Sequence, residues 1–307
     1  MTSSAAALLQ VLVFPGLRFT AAAGLVASWV DRKLTARLQK RIGPPFLQPL
    51  YDVCKLMIKE TCVPEGASLT LFLGAPLLGL AGAAVASAIV WRALLSPEEA
   101  FVGDLIVVLS LLTLPALAIA LGAFASRNPL ASLGGSREIK MMMAYELPLV
   151  VAACVPILAA GSLRLGAIVL APAAASAPSG LLALGVAVLC MQAMLGQVPF
   201  DLPEAETELT GGALIEYSGP PLAFYRLTRA MMLFVVPCFL IALFLVPAAA
   251  GGAWLLAAAL EYAALLVIVI LVRNTAPRVR VDQALRFFWG PMTAVAFVAV
   301  ALGAVGW

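Results

Sequence analysis

Five acids stand between residues 201 and 216 before any base appears: Asp201, Glu204, Glu206, Glu208 and Glu216. Glu204 and Glu208 are four apart and share a face if the segment is helical. Two ionised carboxyls so placed repel by about 0.2–0.5 kcal/mol in water, and by more beside a low-dielectric membrane. Either cations from a partner compensate, or some of these carboxyls have raised pKa values and hold protons near neutral pH. That second possibility is proton-transfer chemistry. A solvated acidic loop is the plain alternative, weakened by the apolar residues interleaved through the segment. Asp201 with Glu204 three residues on reads as a capping box opening a short helix that Gly211 and Gly212 end. Two further acids stand inside apolar runs: Glu146 beside Pro148, and Glu261, the one charge in residues 253–272. Each requires a partner, a proton or a wet cavity. Arg137, Glu138 and Lys140 precede Glu146, so these residues together could line a path of protonatable groups.

Other chemistries are excluded by composition. The chain contains no histidine, and its five cysteines form no C-x-x-C pair. Zinc, haem and iron–sulfur ligation therefore find no donor set, and redox centres, if any, belong to partner subunits. The bases are dispersed between apolar runs rather than gathered in a patch, which leaves nucleic-acid binding without support.

The elements that position these acids follow from hydropathy. Of 307 residues, 63% are apolar and 11% charged, with a mean hydropathy of +1.06. Soluble domains carry about 25% charged residues. Apolar runs of about 20 residues match a hydrocarbon core of about 30 Å. The expected architecture is an all-α, polytopic membrane protein, one domain over residues 1–307, with spans at 5–30, 69–91, 104–125, 141–163, 178–198, 229–249, 253–273 and 287–306. The first span has no basic n-region and contains Arg18, so it is not a cleaved signal peptide. The loops 31–68, 126–140, 199–228 and 274–286, with their edges, hold sixteen Lys and Arg, against only Arg92 and Arg164 in the others. This positive-inside bias places the four basic loops in the cytoplasm and both termini outside. A protein with one built face and one nearly bare face is expected to dock something on the former.

In the first basic loop, Gly43, Pro44 and Pro45 break any continuing helix, and Pro49 suits the first turn of a new one. From there Gln48, Asp52, Lys55 and Lys59 share one face, and Leu47, Leu50, Val53, Cys54 and Met57 the other. The spacing predicts an amphipathic helix on the membrane surface, able to wall the base of a docking site.

The run Pro199-Phe200-Asp201-Leu202-Pro203-Glu204-Ala205-Glu206, continuing to Glu216-Tyr217-Ser218-Gly219, resembles the signature of the complex I subunit 1 family, also called the H-subunit family. That family includes the corresponding membrane subunit of formate hydrogenlyases and other membrane-bound [NiFe] hydrogenases. Gly43-Pro44 with Gln48-Pro49, Asp52, Lys55 and Lys59-Glu60 is also similar to it. So are Tyr145-Glu146-Leu147-Pro148 and Pro277-Arg278-Val279-Arg280-Val281-Asp282-Gln283. The resemblance implies an eight-helix connector between a cytoplasmic redox module and ion-pumping membrane subunits, in a prokaryotic inner membrane. It implies that Asp201, Glu204, Glu206 and Glu216 are the loop acids and Glu146 the intramembrane acid, with Arg278 and Arg280 at the interface. Glu208 and Glu261 are added from their positions alone. The docking face is then Arg41, Gln48, Asp52, Lys55, Arg137, Glu138, Arg278, Arg280 and Asp282.

The first loop, with Gly43-Pro44-Pro45 running straight into Phe46-Leu47-Gln48-Pro49, is shorter than the complex I pattern. Gly135-Ser136-Arg137-Glu138 is also more similar to the hydrogenase branch, and Gly211-Gly212-Ala213 departs from the usual stretch. The expected partners are therefore hydrogenase-like large and small subunits, an iron–sulfur protein and antiporter-like membrane subunits. The [4Fe–4S] clusters and a nickel–iron centre would reside in those partners, with no cofactor in this chain. The alternative is the quinone-site subunit of an NADH:quinone oxidoreductase. Two further readings are an autonomous secondary transporter, which would show broken spans in corresponding halves, and a purely structural anchor.

Overall fold

The computed structural model describes residues 9–203, 211–245 and 254–306. Every regular element among them is helical. They are α1 (Leu17–Leu38), α2 (Gln48–Ile58), α3 (Leu69–Leu95), α4 (Asp104–Ala125), α5 (Pro129–Ala160), α6 (Leu165–Leu170), α7 (Pro178–Met194), α8 (Gly219–Leu240), α9 (Trp254–Thr275), α10 (Val281–Phe287) and α11 (Thr293–Val305), with a few single turns between them. Seven helical stretches are long and apolar enough to cross a bilayer, and eight crossings result when the bent pair ending in α7 counts as one.

Several span limits differ from those expected. The fourth helix starts at Pro129 rather than at 141, because the Asn128 side chain accepts from Leu130 N at 2.8 Å and Pro129 occupies the first turn. The basic stretch expected as loop 126–140 is thus mostly helix. The sixth starts at Gly219 rather than at 229, again with Pro in its first turn, and runs through a π turn, Ile241–Leu245. In the fifth crossing α7 covers only Pro178–Met194, and the chain before it bends by 103°. One polar tie anchors that break, since Leu165 N donates to Asp104 Oδ1 at 2.6 Å.

Helix α8 is the most enclosed span, 83% buried along its apolar stretch, and it packs on α1, α2 and α3. Gly24 permits the α1 contact. A Cβ built there would stand 2.5 Å from the Ala230 carbonyl oxygen. Without water to drive helices together inside a bilayer, such close small-residue packing supplies the attraction.

The basic loops meet at one end of the bundle. Ser68 N bonds Ala125 O at 3.2 Å and Val279 N bonds Pro199 O at 3.1 Å. Cys62 N donates to Ser218 Oγ at 3.0 Å, and Gln39 Nε2 to Asn274 Oδ1 at 3.3 Å. Loops distant in sequence are therefore sewn into one face.

Replacing Gly24 with Leu should abolish accumulation of folded protein in membranes, because the added Cβ meets backbone that cannot yield. Gly74→Leu, where no atom lies within 4 Å, should accumulate as the parent does; equal yields of both variants would contradict the packing assigned to α1 and α8.

Candidate functional site

Helix α2 forms where the surface helix is expected, but it is turned with Gln48 and Asp52 inward, while Lys55 and Lys59 stay exposed. Leu47, Leu50 and Met57 are exposed, as suits contact with lipid, while Asp52 accepts from Arg32 Nη1 at 2.7 Å and from Gln48 Nε2 at 2.9 Å. Burial raises the Asp52 carboxyl, yet those two hydrogen bonds and the charges of Arg32 and Arg226 outweigh it and hold its pKa below the ordinary aspartate range. Asp52 and Gln48 are thus engaged within this chain. Arg41 and Lys55 are exposed on the same face of the bundle.

The segment 199–203 is held from several sides. Gln192 Nε2 donates to Val198 O at 2.7 Å, and Phe200 packs on Phe288 with ring centroids 4.9 Å apart. Asp201 accepts from Arg278 Nη2 at 3.1 Å. Arg280 N donates to the Gln283 side chain at 3.1 Å, which closes the first turn of α10. Arg280 and Asp282 remain exposed beside this junction. Glu204, Glu206 and Glu208 lie outside the described residues, as does the expected capping of Asp201 by Glu204. The two ends of their segment are fastened together, since Ala213 N donates to Pro203 O at 3.1 Å. Both ends rest on α5 at Gly134, where a Cβ would come within 2.5 Å of Ala213 N.

Beyond that point Glu216 accepts from Asn128 Nδ2 at 2.5 Å, the residue that also caps α5. Tyr217 stacks on Phe72 with centroids 4.1 Å apart, and its hydroxyl donates to Phe72 O at 2.9 Å. Burial pushes the Tyr217 hydroxyl up to about 12 despite its bond with Tyr225. It stays a neutral donor.

Two adjoining cavities open into this region. The smaller, about 40 Å³, is lined by Glu138, Asp201, Tyr225 and Arg229 among others. The larger, about 450 Å³, shares Asp201 and Arg229 and adds Asp31, Arg32, Arg226, Arg273 and Arg278. Asp31 is buried and bonds Arg273 at 2.7 Å, joining α1 to α9. From Glu138 the line continues along α5. Tyr145 is buried with no hydrogen-bond partner for its hydroxyl, and it lies within electrostatic reach of both Glu138 and Glu146.

Glu146 is exposed on α5, with Met143, Leu147 and Val150 exposed around it. It lies about 21 Å from the far end of the helix, counted at 1.5 Å per residue, and so falls inside a core of about 30 Å. The structure therefore places Asp201 and Glu138 on the wall of one cavity, with Glu146 eight residues further along α5, about 12 Å away at 1.5 Å per residue. Glu216 stands at the same end, against the start of α5. Glu261 lines neither cavity; one of its oxygens is buried on α9 without a partner. Arg137 is half-buried. No group of three His, Cys, Asp or Glu side chains among the described residues could hold a metal ion.

Residues 9–304 match the profile of a family described as NADH dehydrogenase. The chain is 34% identical over 298 residues to the H subunit of the NADH-quinone oxidoreductase of Geobacillus thermodenitrificans, covering 90% of this chain and 87% of that protein. It is 36% identical over 302 residues to the same subunit of Geobacillus kaustophilus, covering 90% and 86%. A solved chain from the membrane-bound sulfane sulfur reductase, an archaeal respiratory membrane complex, superposes with a TM-score of 0.84 at 27% identity, covering 97% of this chain and 99% of the other.

The lowered Asp52 pKa carries a sign. Its stabilisation of the α1–α2 tie is complete above the ordinary value of 3.8 and is lost only as pH falls through the lower folded value. Trp29, which packs on Phe46 at 5.0 Å, reports the loop. Its emission should stay constant from neutrality down through pH 3.8 and shift below it, whereas Asp52→Asn should show the shifted emission at neutrality. Identical profiles in the two proteins would remove Asp52 from this role.

Proposed function

Because the chain belongs to the NADH dehydrogenase family, which includes the H subunits of NADH-quinone oxidoreductases, we propose that it couples a peripheral redox module to ion-translocating membrane subunits. It is a multi-pass membrane subunit, and on this reading its basic face lies in the cytoplasm of a prokaryotic cell, with both termini outside. Supporting that orientation is the gathering of the basic loops at one end of the bundle.

The observation that carries the proposal is the exposure of Glu146 inside the apolar part of α5, at the end of the line through Asp201, Glu138 and Tyr145. An ionised side chain at the bilayer centre costs at least about 2.5–3.5 kcal/mol. Cover by a second membrane subunit relieves that cost and gives the carboxyl a group with which to exchange a proton or pair. At the other end, exposed Arg41, Lys55, Arg278, Arg280 and Asp282 offer a docking rim, and Arg278 also lines the larger cavity. A redox module seated there changes its charge as electrons pass. A charge change within a few ångströms shifts a carboxyl's protonation, and the shift passes from Asp201 and the following acids to Glu138 and on to Glu146. The coupling is reciprocal, so an ion gradient also biases the redox step.

Among peripheral modules, the short first loop and residues 135–138 support the hydrogenase type. Its large and small subunits and iron–sulfur protein would carry the [4Fe–4S] clusters and the nickel–iron centre, and the pump subunits would be antiporter-like. The quinone-reducing alternative is favoured by the names of the relatives and by a cavity whose size falls in the range of small-molecule sites.

Glu138→Gln and Glu146→Gln should leave the complex assembled and its electron transfer running while ion translocation per electron falls at least tenfold in proteoliposomes. Full gradients in both variants would refute the coupling role. Nickel in the purified complex supports the hydrogenase branch, and flavin with quinone reduction the other.

A further inference from the structure

A separate cavity of about 280 Å³ lies at the end of the bundle opposite the basic face, bounded by residues just before α1, by α3 and by the connection from α3 to α4. Asp104, the first residue of α4, lines it and is 1% exposed. One oxygen of its carboxyl is engaged, since Oδ1 accepts from Leu165 N at 2.6 Å. The other, Oδ2, is buried with no hydrogen-bond partner. Arg164 lies within electrostatic reach but forms no ion pair with it. The positive end of the α4 dipole favours the ionised carboxyl. A buried acceptor without a donor is costly, and more so when charged. Oδ2 therefore calls for a donor that the described chain does not supply.

The rest of the lining sorts by depth. Arg92, three residues before the end of α3, pairs with Glu99 at 3.1 Å, both exposed. Ile89 and Val85 follow on the same face of α3, and Val85 stands ten residues, about 15 Å, from the helix end. Val11 and Phe14 line the same space. The cavity is thus polar at the level of lipid headgroups and apolar toward the bilayer interior, the arrangement an amphiphile takes in a membrane. Its chemistry at the polar end is narrow. A bare metal ion would find one carboxylate where it needs several oxygens. A primary ammonium brings both N–H donors and the opposite charge to Oδ2. A quaternary ammonium has no N–H to give, and an anionic head meets a carboxylate.

We propose that this cavity seats an aminophospholipid from the leaflet opposite the basic face, its primary ammonium donating to Asp104 Oδ2 and its apolar part lying along Ile89, Val85 and Val11. The site stands at the far end of the bundle from the acids of the coupling path. The proposal goes beyond the coupling role, because the lipid can bind whether or not ions are pumped.

The intact complex, stripped of lipid in detergent, is titrated with phosphatidylethanolamine, with phosphatidylcholine and phosphatidylglycerol of the same chain length, and with phosphoethanolamine, and retained adducts are weighed by native mass spectrometry. Asp104→Asn keeps a carbonyl oxygen for Leu165 N but puts a donor in place of the second acceptor. Val85→Trp fills the apolar part and leaves Asp104 untouched. Each variant complex should retain one phosphatidylethanolamine fewer than the parent. Retention of the same number by either would overturn the site. In the parent, the adduct lost from both variants should be held at least tenfold more tightly than either of the other two lipids. Phosphatidylcholine held as tightly would overturn the need for an N–H donor, and phosphatidylglycerol held as tightly would overturn the need for a cation. Phosphoethanolamine, which has no chains, binding as tightly would overturn the assignment to a lipid.

Discussion

A carboxyl on the outward face of α5 cannot lie ionised against hydrocarbon, because nothing there replaces the water it gives up. Glu146 stands in that position, with Met143, Leu147 and Val150 around it. The side chain therefore calls for cover by a polar partner. Much of the molecule can be read as the means of connecting that one carboxyl to the basic face. Helix α5 begins a third of its length before its apolar part, which carries Arg137 and Glu138 beyond the span while keeping them on the same rigid rod as Glu146. The ends of the acidic segment are pinned to that rod at Gly134. Displacement of charge at the basic face is thus felt by groups fixed to the helix that bears the outward-facing acid.

The basic face itself is held by bonds between loops far apart in sequence. The Arg273–Asp31 pair joins α1 to α9, Arg278–Asp201 joins the segment after α9 to the acidic motif, and Arg32–Asp52 joins α1 to α2. Each pair places one guanidinium at a cavity wall. The same contacts that assemble the face therefore line the larger cavity with arginine–aspartate pairs. Individually such partly exposed pairs contribute little to stability. Their value here is positional, since they set where the arginines and acids stand relative to one another.

Much of this is legible in the residues. Apolar runs and the Lys/Arg asymmetry locate the spans and the single built face, and the periodicity of residues 48–58 gives the surface helix. What escapes is chiefly pairing. Nothing in the period of α2 tells that Gln48 and Asp52 turn inward, because the cause, Arg32, lies on another helix. Asp31 escapes for the same reason: its partner Arg273 is 242 positions away, and hydropathy alone puts residue 31 at the start of a loop. The early start of α5 is written in Asn128 and Pro129, but the polar stretch through Lys140 reads as a loop when hydropathy alone is weighed. Hydropathy likewise assigns Arg226 and Arg229 to a loop, whereas their helix begins at Gly219. Glu261 stands out by its isolation in an apolar run, yet the structure leaves it away from both cavities.

The account stands or falls on what covers the outward face of α5. A cysteine placed at Leu147, beside Glu146, in protein whose exposed Cys54 and Cys62 have been changed to Ser, can be challenged with a lipid-soluble maleimide in the intact complex and again after detergent has separated the subunits. Protection in the complex and rapid labelling after separation is the result the account predicts. Equal, rapid labelling in both would mean that Glu146 faces lipid alone, and the path assigned to it would have nowhere to lead.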